Sequence, residues 1–239
     1  MPTILITGAS SGLGAAFLTH YSLNPSNTIY TLDINPLPTT FSANSQITHF
    51  VIDTTNTNDI ANLAHHLQDI PIDLLIHSAG IRGLVPSLED AYPNDVAACE
   101  TLEVMDEATM LRTFQINTIG TFSLIRALLP NLRASPNAKV IIMSSRMGSM
   151  SSNVSGAGYA YRASKAALNA VVKSFSLDVP EVTFVLNHPG RVETGLVRCK
   201  EEGAISAEES VKGLAVLIEK WDRSDSGKFY DRFGDVIVW

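Results

Sequence analysis

The chain has 239 residues, 45% of them hydrophobic and 17% charged, with a net charge of −7. That is enough for one large domain with a substantial core, expected to span residues 1–239. The acidic balance, with no basic run and no basic/aromatic stripe, argues against nucleic acid as a partner. No apolar run is long enough to span a membrane, and the start, MPTILITGASSG, lacks the basic region of a signal peptide. Two cysteines, Cys99 and Cys199, are too few for a disulfide framework or a Cys-rich metal site, and the six histidines show no close ligand spacing. No metal is expected, and a reducing, cytoplasmic setting is the default.

In chain order, Thr3–Thr7 (TILIT) is a short β-branched run that predicts a buried strand. Gly8-Ala-Ser-Ser-Gly12-Leu-Gly14 follows, then a helix over Leu13–Tyr21. Strands are expected at Thr28–Leu32, ending in Asp33, and at Ile47–Ile52, ending in Asp53. A helix over Asn58–Leu67 has Thr57 as its expected N-cap. A strand over Ile72–Ile76 ends in His77-Ser78-Ala79-Gly80. Residues 81–105, with Pro86 and Pro93, read as irregular. Asp106 can cap one long helix, Glu107 to Leu132. Lys139–Met143 is the fifth strand, and a helix from Tyr161 to about Leu177 is stopped by Pro180. Val182–Leu186 is the sixth. Ser206 and Glu209 have capping-box spacing and open a helix to about Trp221. Asp235–Trp239 reads as the last strand.

Strands alternate with helices, and the central strands are apolar nearly end to end. This predicts an α/β doubly wound fold of about seven parallel strands, with helices on both faces. In such folds ligands bind beyond the carboxyl ends of the strands, where strand order reverses. Gly8, Gly12 and Gly14 lie at the first such end. Glycines permit a tight turn and close backbone approach, and the helix that follows presents free N–H groups and partial positive charge. With Ser10, Ser11 and Leu13, this segment predicts a pyrophosphate cradle. Asp33 lies nineteen residues after Gly14 and can accept hydrogen bonds from an adenosine ribose. Its carboxylate would repel a 2′-phosphate, and no Arg or Lys stands at Ser10, Ser11, Ile34 or Asn35. NAD is therefore expected over NADP. Asp53 is placed to reach the adenine edge.

Tyr161 and Lys165 are four residues apart on a predicted helix, which puts both side chains on one face. An ammonium one turn away favours the phenolate of a tyrosine. Just upstream, Ser144 and Ser145 end the Val140–Met143 run, where a hydroxyl can meet a reacting oxygen. Taken together, these residues suggest a proton-transfer pair with a serine partner.

With Thr7-Gly8-x-x-x-Gly12-x-Gly14 and Tyr161-x-x-x-Lys165 in place, the chain resembles the short-chain dehydrogenase/reductase family in its single-domain form. The remaining motifs occur in the family's order: Asp53, Ser78-Ala79-Gly80, Asn117, Ser144-Ser145, and Pro189-Gly190-x-Val192-x-Thr194. The ending GKFYDRFGDVIVW, with SSRMGS and YRASKAALN, further resembles its C-factor-like branch. Together with the NAD preference read from Asp33, the resemblance implies an NAD-dependent oxidoreductase that interconverts a small or medium secondary alcohol and ketone. Tyr161 would be the general acid/base. Lys165 would lower its pKa and bind the nicotinamide ribose. Ser145 would hold the substrate oxygen, and Asn117 a water that links Lys165 to solvent. Ser78, Ala79, Gly80, Pro189, Gly190, Val192 and Thr194 would complete the cofactor site.

The resemblance also implies a homodimer or homotetramer through the two long helices. Alternatives on the same scaffold are a dehydratase or epimerase, or a nucleotide-binding signalling or interaction protein with little turnover. The sequence departs from the family at His77-Ser78, where Asn-Asn is usual, and in a Ser/Gly-rich loop, Ser149–Gly158, that is longer than is common. Asp33 stands where the C-factor-like branch often has a basic residue. Segments 81–93, 147–159 and 195–205 should line the substrate pocket, the last as a lid. Arg82, Arg146 and Arg191 each follow a motif and could meet an acidic substrate group, but read first as exposed or paired with local acids.

Overall fold

The structure is a computed structural model describing residues 1–41 and 43–239. Its strands are β1 (Thr3–Thr7), β2 (Thr28–Asp33), β3 (Ile47–Val51), β4 (Leu74–His77), β5 (Lys139–Met143), β6 (Thr183–His188) and β7 (Lys228–Asp231). They form a seven-stranded sheet in the order β3-β2-β1-β4-β5-β6-β7. Every pairing is parallel. The helices are α1 (Gly12–Ser22), α2 (Thr57–His66), α3 (Pro86–Ala91), α4 (Glu107–Phe114), α5 (Thr121–Arg133), α6 (Tyr159–Asp178) and α7 (Ala207–Lys220).

Alternation along the strands builds two cores, because successive side chains point to opposite faces. Ile4, Ile6, Ile141 and Val185 pack with Phe17 and Leu18 of α1 and with Val211, Leu214 and Ile218 of α7. Leu5, Val140, Ile142, Phe184 and Leu186 pack on the other face. There they meet Leu63 of α2, Leu124 and Leu128 of α5, and Leu168, Val172 and Phe175 of α6. With helices on both faces, the strand ends at β1 and β4 open at the point where strand order reverses.

Four sequence expectations change. The helix expected from Glu107 to Leu132 is interrupted by a π-helical stretch, Gln115–Gly120, between α4 and α5. One extra residue in that turn shifts the face by about 100°, which a single-period pattern does not anticipate. Gly120 allows the approach it makes there, because a Cβ would fall 2.7 Å from Thr54 Oγ1.

Asn56, not Thr57, caps α2: its Oδ1 accepts the N–H groups of Asn58 at 2.9 Å and Asp59 at 3.4 Å. The segment expected to be irregular contains α3, which starts at Pro86, a favoured first position.

The last strand is Lys228–Asp231, not Asp235–Trp239. Asp231 Oδ1 accepts the N–H groups of Phe233 and Asp235, and the chain reverses through Gly234 at φ 91°. The run that follows returns antiparallel along β7, with Ile237 N–H donating to Phe229 O at 2.8 Å. Its alternation is real, with Ile237 buried and Val236 and Val238 exposed, but it belongs to the second arm of a hairpin. Trp239 stacks on Phe229, and Ser149 and Ser151 donate hydroxyls to the carbonyls of Val238 and Trp239. The long loop after β5 is thereby tied to this arm.

Candidate active site

A cleft of about 1100 Å³ runs along the carboxyl ends of β1, β2, β4, β5 and β6. At one end lies the glycine turn. Gly8 N–H donates to Leu32 O at 2.8 Å. Gly8 has φ 67°, and a Cβ there would meet Ala79 N at 2.9 Å; a Cβ on Gly14 would fall 2.0 Å from Gly8 O. The turn is therefore compact in a way only glycine permits. Ser11, the N-cap of α1, makes no side-chain cap bond, and no acidic residue occupies the first turn. The free N–H groups of α1 lie at the cleft with no acidic side chain of the helix's own first turn to meet them.

The predicted nucleotide-binding residues Ser10, Ser11, Gly12, Leu13, Asp33, Asp53, Ser78, Ala79 and Gly80 all line this cleft. Asp33 is engaged already: Oδ2 accepts Ser10 N–H and Oδ1 accepts Asn35 N–H, each at 2.9 Å. The carboxylate thus braces the glycine turn as well as facing the cleft. Asp53 Oδ1 accepts the N–H and hydroxyl of Thr55, forming the turn that leads into α2.

At the other end α6 brings Tyr161 and Lys165 onto one face, only 7% and 4% exposed. Lys165 Nζ donates to Met143 O, at the end of β5, at 2.9 Å. Burial alone pushes its pKa down to about 8. Burial pushes the Tyr161 phenol up, while the Arg82 charge and a hydrogen bond from Ser145 draw it back. The sequence suggested Lys165 as the charge beside Tyr161. In the structure Arg82 stands closer to the ring, 5.0 Å from its centroid against 5.7 Å for Lys165 Nζ.

The two serines part ways. Ser144 donates its hydroxyl to Asn169 Oδ1 at 2.6 Å in the interior. Ser145 faces Tyr161. Asn117, within the π-helical stretch, is hydrogen-bonded at both ends of its side-chain amide. Its Oδ1 accepts Ile81 N–H, and its Nδ2 donates to Ile81 O and Ser164 Oγ. Both amide hydrogens are used, so a water on this residue would have to donate, to Oδ1 or to the main-chain carbonyl.

The segment after β6 closes the cleft. Pro189 O accepts the Ser210 hydroxyl at 2.8 Å. Gly190 has φ 94°, and a Cβ there would meet Arg232 Cδ at 2.9 Å. Val192 bridges to Ile205, and Thr194 packs over Gly12. Arg198, in the lid segment, reaches Glu89 and Asp90 of α3. Two residues of the site escaped sequence reasoning. Glu100 pairs with Arg82, and His188 Nδ1 is buried at the cleft wall without a hydrogen-bond partner among the described residues.

These features fit a dinucleotide. The glycine turn leaves room for a pyrophosphate that side chains would fill, and Lys165 has one protein acceptor for three N–H donors. Among the described residues there is no cluster of His, Cys, Asp or Glu suited to a metal, and no helix long and apolar enough to cross a membrane.

Residues 2–204 match the family model described as short chain dehydrogenase. The chain belongs to that family. It is 38% identical over 171 residues to C-signal of Myxococcus xanthus, covering 71% of this chain and 93% of that one. It is 31% identical over 194 residues to 1-hydroxy-2-glutathionyl-2-methyl-3-butene dehydrogenase of a Rhodococcus strain, covering 79% and 78%. Among solved structures it resembles NADPH-bound carbonyl reductase from chicken fatty liver, with TM-score 0.85, 25% identity and coverage of 100% and 99%.

This short-chain dehydrogenase carries His77 where the family usually has asparagine, and the hydrogen bonding shows what the change does. Thr7 Oγ1 accepts the N–H groups of Ser78 and Ala79, each at 3.1 Å. Its own proton must therefore go to His77 Nδ1, at 3.0 Å. His77 Nε2–H then donates to Thr121 Oγ1 at 2.8 Å, and Thr121 donates to Asn117 O at 2.9 Å. The chain of donors has one direction and requires neutral His77. Burial, reinforced by Lys165, holds its pKa down at about 3. The unfolded chain thus binds one more proton here from about pH 6.5 down to about 3, so stability is present above that window and lost within it. His77→Asn should reduce the slope of unfolding free energy against pH, between about pH 4 and 6, by about 1.4 kcal/mol per pH unit. Urea unfolding across that range measures it; an unchanged slope would contradict the neutral-histidine network.

Proposed function

We propose that the protein is an NAD-dependent oxidoreductase interconverting a small or medium secondary alcohol and its ketone. The observation carrying this reading is that Tyr161, Lys165 and the Ser145 hydroxyl meet, largely buried, in the same cleft as the uncapped helix end of the glycine turn. When bound, a nicotinamide supplies the hydride acceptor or donor. The protein's own residues supply position and protons. Tyr161 Oη takes the proton from the carbinol oxygen in one direction and returns it in the other. Ser145 Oγ holds that oxygen. Lys165 offers its two spare N–H donors to ribose hydroxyls, and the Asn117 carbonyl, aligned by Thr121, is the acceptor for a proton-relay water. Asp33 would hold the adenosine ribose. Val192 and Thr194 would orient the carboxamide.

The proposed NAD preference departs from the chicken carbonyl reductase, which is described with NADPH. It is supported by the carboxylate of Asp33 and by the uncharged neighbours Ser10, Ile34 and Asn35 around it in the cleft wall. Self-association as a homodimer or tetramer is supported by apolar side chains left exposed on α4, among them Leu111 and Phe114. A signalling role with little turnover draws support from the C-signal relative. The complete Asn117, Ser145, Tyr161 and Lys165 set favours turnover, and a panel of carbonyls and alcohols read by NADH absorbance decides between them.

Tyr161→Phe should lower turnover on any substrate from that panel by about a hundredfold or more, with cofactor affinity little changed. Near wild-type turnover would refute the acid/base role. For the cofactor, wild type should bind NAD at least about tenfold more tightly than NADP, a difference of about 1.4 kcal/mol, and Asp33→Asn should narrow the gap. Tighter NADP binding by the wild type would refute the role given to Asp33.

A further inference from the structure

Arg82 leaves the loop after β4 and turns inward toward Tyr161. Two bonds hold it there: Nε donates to Glu100 Oε2 at 2.9 Å and an Nη donates to Glu100 Oε1 at 2.7 Å. The two side chains are only 13% and 10% exposed. Glu100 is itself fixed to the start of α6, where its carbonyl accepts Gly158 N–H at 2.9 Å. Gly83, the next residue after Arg82, has φ 73°. A Cβ there would fall 2.4 Å from Thr113 Oγ1 and 3.0 Å from Ala160 Cβ, so the loop is pressed onto α4 and α6.

A buried ion pair of this kind is weak evidence for stability, since desolvation offsets much of the attraction. Glu100 takes the Nε–Nη edge of the guanidinium and offsets its charge, which weakens Arg82 as a binder of an acidic substrate group. What remains distinctive is where the charge sits, with the guanidinium carbon 5.0 Å from the Tyr161 ring centroid.

We propose that Arg82 is a positioning residue for Tyr161: clamped by Glu100, it keeps a permanent positive charge against the ring and stabilises the tyrosinate. This rests on Tyr161 being the acid/base of the site. The charged and titratable groups around Tyr161 come from four places. Arg82 and Glu100 lie between β4 and α4, Glu201 lies in the lid segment, Lys165 lies on α6, and the Ser145 hydroxyl lies at the end of β5. Of the charges acting on the phenol, Arg82 exerts the largest pull, and the two glutamates oppose it. Lys165, with its pKa brought down to about 8 by burial, carries its charge only in part near that pH. A guanidinium stays charged throughout the working range. It can therefore hold the tyrosinate where the ammonium has begun to lose its proton.

The titration of Tyr161 can be followed in the whole protein by NMR of ring-labelled tyrosine, with Tyr161→Phe identifying its signal. Arg82→Met should raise the midpoint by about one unit or more, and the acid limb of the turnover profile should move with it. Arg82→Lys keeps the charge without the fork and should recover part of the shift. The double variant Arg82→Met/Glu100→Gln leaves no unpaired buried carboxylate, so it carries the test if the single variant does not fold. It too should titrate above wild type. An unchanged midpoint in the double variant would overturn the proposal, as would a complete failure of Arg82→Lys to recover the shift. The NMR midpoint needs no substrate. If instead the acid/base assignment fails, Tyr161→Phe keeps its turnover while Arg82→Met still moves the Tyr161 signal.

Discussion

The Lys165 ammonium sits inside the protein with one acceptor, the carbonyl of Met143. Holding a cation there is unfavourable, and the depressed pKa records the cost. Several neighbouring features exist to allow it. Gly148 lets the loop after β5 pass so close to α6 that a Cβ would lie 2.8 Å from the Lys165 main chain. Gly80 lets the end of β4 pass close to Asn117, whose Oδ1 a Cβ would approach to 3.0 Å, beside Lys165 Nζ. Thr118, in the π-helical stretch, donates to Ser164 O on the same turn of α6 and fixes the helix that carries the lysine.

The same geometry divides the labour among charges. Lys165 has spare donors but a pKa of about 8, so it suits a role that offers hydrogen bonds to hydroxyl groups. Arg82 has one edge of its guanidinium held by Glu100 and keeps its charge, so it suits a role that acts on Tyr161. Nearby, His77 is held neutral between Thr7 and Thr121. That keeps a second cation out of the space around Lys165 and passes a hydrogen bond from the glycine turn to the Asn117 carbonyl. Both ends of the cleft are thereby linked through the interior, independently of any ligand.

How legible this was in the sequence depended on how local each interaction is. The glycine turn and the Tyr161/Lys165 spacing are set by neighbours in the chain, and the alternation of apolar strands sets the parallel sheet. Those features could be read directly. The Arg82–Glu100 pair joins residues 18 apart through two irregular segments, and no periodicity points to it. The π-helical stretch adds one residue to a turn inside an otherwise regular pattern. The final DVIVW run has the apolar alternation of a strand, and only Asp231 and Gly234, which turn the chain just before it, mark it as the return arm of a hairpin. Position alone marks Asp33 as a candidate ribose acceptor. Its bonds to Ser10 and Asn35, which make it a brace for the glycine turn, emerge only from the folded arrangement.

The most direct measurement is the affinity of the reduced dinucleotide for wild type and for Lys165→Met, read by cofactor fluorescence on proteins shown to be folded. If the buried ammonium is kept to hold a ribose through its spare donors, Lys165→Met should bind NADH at least about tenfold more weakly, the loss expected for a hydrogen bond to a charged group. Equal affinity in the two proteins would contradict that role, and with it the placement of a nicotinamide dinucleotide beside Tyr161.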